Sequence, residues 1–69
     1  MKNLHLLDND QREYVERILA DKNFYKKNLH CKYLAIVFDY ATDLHQVFTL
    51  EGQWGLHNEF YDIVEYIEL

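Results

Sequence analysis

Residues 56–68 read Leu56-His57-Asn58-Glu59-Phe60-Tyr61-Asp62-Ile63-Val64-Glu65-Tyr66-Ile67-Glu68, and the period assigned to this stretch decides the fold. As a strand, each face mixes acids with apolar side chains. As a helix, Leu56, Phe60, Ile63, Val64 and Ile67 recur at i, i+4, i+7, i+8 and i+11 and share an arc of roughly 100°. Glu59, Asp62, Glu65 and Glu68 then spread over the opposite side. Asn58 serves as N-cap, and Glu59 and Asp62 fall in the first turn, where the helix dipole favours acids. The spacing therefore predicts a helix over residues 56–68.

Upstream, residues 31–40 are rich in aromatic and β-branched side chains and contain no breaker, which predicts a strand. Leu34, Ile36, Phe38 and Tyr40 take one face; Tyr33, Ala35, Val37 and Asp39 take the other, so both faces are largely apolar. Ala41-Thr42-Asp43 reads as a turn, and residues 45–51 alternate as a second strand, completing a hairpin. Gly52-Gln53-Trp54-Gly55 holds both glycines and reads as a loop. Residues 8–29 read as a helix with Tyr14, Val15, Ile18, Leu19, Tyr25 and Leu29 on one face. Asp8 precedes Gln11, and Asp10 precedes Glu13, at capping-box spacing, while Asn23 marks an early end. The expected fold class is α+β: one small domain over residues 1–69, ordered helix–strand–strand–helix, with both helices on one face of a β-hairpin.

Several function classes fall away on composition. The 69 residues are 49% hydrophobic, too apolar for simple disorder, yet no apolar run is long enough to span a membrane. The first residues show no signal-peptide pattern, and a lone Cys31 cannot form an internal disulfide, so a reducing, cytoplasmic setting is expected. His5, His30, His45 and His57 are scattered, and His30 and Cys31 in a strand point to opposite faces, so no metal or cofactor is expected. The chain has no serine, no base spaced to activate Cys31, and little depth for a cleft. It is expected not to be an enzyme.

Charge carries the functional reading. All seven bases lie in the first 32 residues against five acids, a net +2. From Tyr33 onward there are seven acids and no base, a net −7. On the expected last helix, Glu59, Asp62, Glu65 and Glu68 form a row about 5–6 Å apart at the backbone, comparable in order to phosphates along a nucleic-acid strand. Asp39, Asp43 and Glu51 extend it from the hairpin, and Tyr61 and Tyr66 flank it as rigid contact area. These nine residues are the candidate partner interface. In general character the chain resembles the small acidic nucleic-acid mimics that bacteriophages encode, although no motif matches a particular family. The expected function is an acidic module that binds and inhibits or regulates a basic, nucleic-acid-binding protein.

Two other readings remain open. In one, the protein is a regulatory or accessory homo-oligomer, antitoxin-like, whose acids only solvate it; the doubly apolar strand 31–40 is then covered by a second copy. In the other, Lys22, Lys26, Lys27 and Lys32, interleaved with Phe24, Tyr25 and Tyr33, bind single strands. The acidic balance argues against direct nucleic-acid binding.

Overall fold

The computed structural model describes residues 3–52 and 59–69. After a single 3-10 turn at Leu4–Leu6 come helices α1 (Asn9–Ala20) and α2 (Lys22–Asn28), then strands β1 (Tyr33–Asp39), β2 (Leu44–Leu50) and β3 (Tyr61–Glu68). The strands form an antiparallel sheet in the order β2-β1-β3. The α+β class stands, but the stretch read as a second helix is a strand.

The reason lies in β1. A strand apolar on both faces is best satisfied at the centre of a sheet. β3 completes that sheet by pairing with all seven residues of β1, from Tyr33↔Glu68 to Asp39↔Tyr61. The register slips between Ile36 and Val37, which face Glu65 and Ile63. Val64 is thus the extra residue of a β-bulge, and it inverts the alternation midway through the strand. Ile63 lies opposite Val37 and Ile67 opposite Leu34, so they stand on different faces despite their four-residue spacing. A broken period of two looked like a period of 3.6. Leu56, the N-cap Asn58, His57 and the loop residues Gln53, Trp54 and Gly55 lie outside the described residues.

The helical half follows its pattern more closely. Asp8 caps α1, its carboxylate accepting the Gln11 amide at 2.8 Å. The expected single helix breaks at Asp21 (φ −141°, ψ 57°), two residues before Asn23. Val15 and Ile18 of α1 are fully buried against Leu34, Ile36 and Ile67, and Tyr25 of α2 packs against the same cluster. Each fully buried side chain of this kind contributes about 1.5–3 kcal/mol as an upper bound. Leu29, expected on the apolar face, is exposed, because the break at Asp21 turns the second segment out of phase with the first; Tyr14, expected there too, is 36% exposed within α1. On the other side of the sheet Ala35, Val37 and Leu50 are buried, with Tyr33, Phe48, Tyr61, Ile63 and Tyr66 packed on them.

No helix among the described residues is long and apolar enough to cross a membrane.

Candidate functional site

The strand redistributes the acids that a helix would have lined up. Asp62 and Glu65 lie opposite Phe38 and Ile36, on the helix-bearing side of the sheet. The bulge places them two β1 positions apart, about 6.6 Å along the strand. Glu68 lies opposite Tyr33, on the other side. The evenly spaced helical row of four is therefore replaced by a split arrangement.

The nine candidate residues separate by environment. Asp39 is buried, only 7% exposed, and holds the hairpin together. Its Oδ1 accepts the Ala41 amide at 2.9 Å and its Oδ2 the Gln46 side-chain amide at 2.7 Å. Glu65 is half-buried and accepts from Asn3 Nδ2 at 2.6 Å. Tyr61 and Tyr66 are half-buried on the face away from the helices, where Tyr61 meets Phe48 edge to face at 5.3 Å. Asp43, Glu51, Glu59, Asp62 and Glu68 are exposed. Asp43 sits at φ 55° in the turn, a conformation that Asp tolerates better than most residues.

Register assigns the exposed acids to two ends of the sheet. Glu51 and Glu68 lie at the end where β1 begins. Lys32 is there too, its carbonyl accepting the Leu69 amide at 2.9 Å, and Lys26 Nζ donates to the Leu69 carbonyl at 3.3 Å. Asp43, Glu59 and Asp62 lie at the other end, beside the β1–β2 turn, about 20 Å away along β1. A cleft of about 270 Å³ between the start of α1 and β2, lined by Asp8, Gln11, Leu44 and His45 among others, brings Asp8 to this same end. Arg12 stands nearby, its guanidinium donating to the Leu7 carbonyl at 3.1 Å.

The turn end also carries rings that the sequence reading did not single out. Phe38 packs edge to face on Tyr40 at 5.7 Å and on His45 at 5.1 Å. The Tyr40 amide donates to the Phe60 carbonyl at 3.0 Å, extending the β1–β3 ladder. Tyr40 is 47%, Phe60 57% and Leu44 62% exposed. The Tyr40 phenol is raised above its ordinary range by the neighbouring Asp62 carboxylate as an acceptor, then by desolvation and the Asp62 charge. Tyr40 was read as one more strand residue and Phe60 as core. The apolar pattern alone could not show that these rings stay exposed at the turn end.

Cys31 is a core residue: it is buried, its Sγ donates to the Tyr33 carbonyl at 3.7 Å, and burial pushes the thiol up. Among the described residues, no three histidine, cysteine, aspartate or glutamate side chains stand together as a group able to hold a metal ion. No family model matches the chain, and neither the curated proteins nor the solved structures give a match.

Proposed function

We propose that the protein is a small acidic interaction module that binds a basic protein surface and regulates its owner, a nucleic-acid-binding protein being the partner whose charge fits best. The observation that carries this reading is the excess of acids at one end of the sheet. Asp8, Asp43, Glu59 and Asp62 gather at the turn end with Arg12 beside them, while at the opposite end Glu51 and Glu68 are offset by Lys26 and Lys32. Such a field steers a basic partner toward one end of the molecule and sets its orientation before contact. A strictly periodic phosphate-like row is not required; a compact acidic end serves.

The reading is tested by capture from a host lysate on the immobilised protein. Wild type is expected to retain basic proteins at about 50 mM salt and to release them by about 0.5 M, because exposed charge contacts are screened. The double variant Glu59→Lys, Asp43→Asn is expected to lose the same proteins. Both changes fall on exposed side chains, and Asn keeps the left-handed turn conformation that Asp43 occupies. Equal capture by the variant, or retention indifferent to salt, would remove the acidic end from the account.

A further inference from the structure

We propose that the ring patch at the turn end is a receptor for arginine, so that the partner docks there through an arginine-bearing segment rather than through positive charge in general. This deepens the function proposed above and rests on it. Tyr40 and Phe60 present exposed aromatic surface next to Glu59 and Asp62. Phe38 and His45 back the patch from the same face of the sheet, where they are paired across the β1–β2 ladder. Only one common cationic side chain uses both halves of such a surface. A guanidinium stacks its flat face on an aromatic ring while its edge donates to a carboxylate; an ammonium is a strongly hydrated point charge and gains less from the ring.

The patch is also held ready. Tyr40 is held at two points, its amide on the Phe60 carbonyl and its ring against Phe38. A ring already immobilised loses little freedom when a partner lands on it. The acids around it disfavour a second copy docked patch to patch, since that arrangement sets Glu59 and Asp62 against their own duplicates. They also repel the phosphates that a base-stacking platform must tolerate.

The test compares two fluorescent peptides of equal charge, hexaarginine and hexalysine, by anisotropy titration at low salt. Hexaarginine is expected to bind at least about fivefold tighter. Tyr40→Leu is expected to abolish that preference while leaving hexalysine binding within about twofold, and Tyr40→Phe, which keeps the ring, to restore most of it. Circular dichroism and thermal melting establish that each variant is folded. Equal affinities for the two peptides, unchanged in Tyr40→Leu, would overturn arginine recognition and leave the acidic module standing. Failure of both peptides to bind, or preferential binding of a deoxythymidine decamer, would overturn both readings.

Discussion

Asp39 and Cys31 each have a side chain that sequence alone assigns loosely and the fold assigns tightly. Asp39 belongs by composition with the other acids, yet its two oxygens close the hairpin turn. Cys31 is raised above its ordinary value of 9.0 by desolvation, opposed by a hydrogen bond from the Leu50 backbone. The folded chain therefore keeps this proton where the unfolded chain has lost it. Stability is full below the unfolded pKa and falls as pH rises through it toward the folded one. Tyr40, raised from 10.0, acts in the same direction. Melting temperature is thus expected to fall as pH rises above about 9, and Cys31→Ala, though less stable at neutral pH, to fall less steeply there. Thermal melts across the range check this; parallel slopes for the two proteins would clear the thiol.

β3 shows what was legible in the chain and what was not. The strand over residues 31–40, its turn and its partner strand could be read because their alternation is unbroken. Val15, Ile18 and the Asp8 cap could be read because α1 has a clean start and one buried face. β3 could not, because one inserted residue resets the phase and no local signal marks Val64 as the insertion. The error carried into the site: a row of four acids was expected where the molecule has a split set. Removing Val64 leaves every pairing to β1 intact, since Ile63 keeps Val37 and Glu65 keeps Ile36. The deletion variant is expected to fold with a stability change of about 1 kcal/mol or less. β3 is an outer strand, and bulges and charges are the devices that keep such edges from pairing with other chains. Sedimentation velocity is therefore expected to show more self-association in the deletion variant than in wild type. A deletion variant that stays as monomeric as wild type would mean that the acids alone protect the edge.

At the scale of the whole molecule, β1 is paired on both sides, so a second copy cannot complete the sheet at that strand. What the fold offers a partner is two unlike ends, one with an excess of acids and one where Glu51 and Glu68 are offset by Lys26 and Lys32. The lysines of α2, once a candidate for single-strand binding, sit at the end away from the ring patch, with Lys26 turned to the Leu69 carbonyl. The sequence already showed that the acids and bases were segregated along the chain. Only the register shows that the hairpin turn collects Asp43, Glu59 and Asp62 around Tyr40, because those residues come from two separate segments. The most direct measurement is an NMR titration of the isotope-labelled protein with the basic protein recovered by capture, followed residue by residue on backbone amides. The account predicts that the perturbed resonances concentrate on Tyr40, Asp43, Glu59, Phe60 and Asp62 and weaken as salt is raised. Perturbations centred on Lys22, Lys26 and Lys27 of α2, with the turn end unmoved, would contradict it.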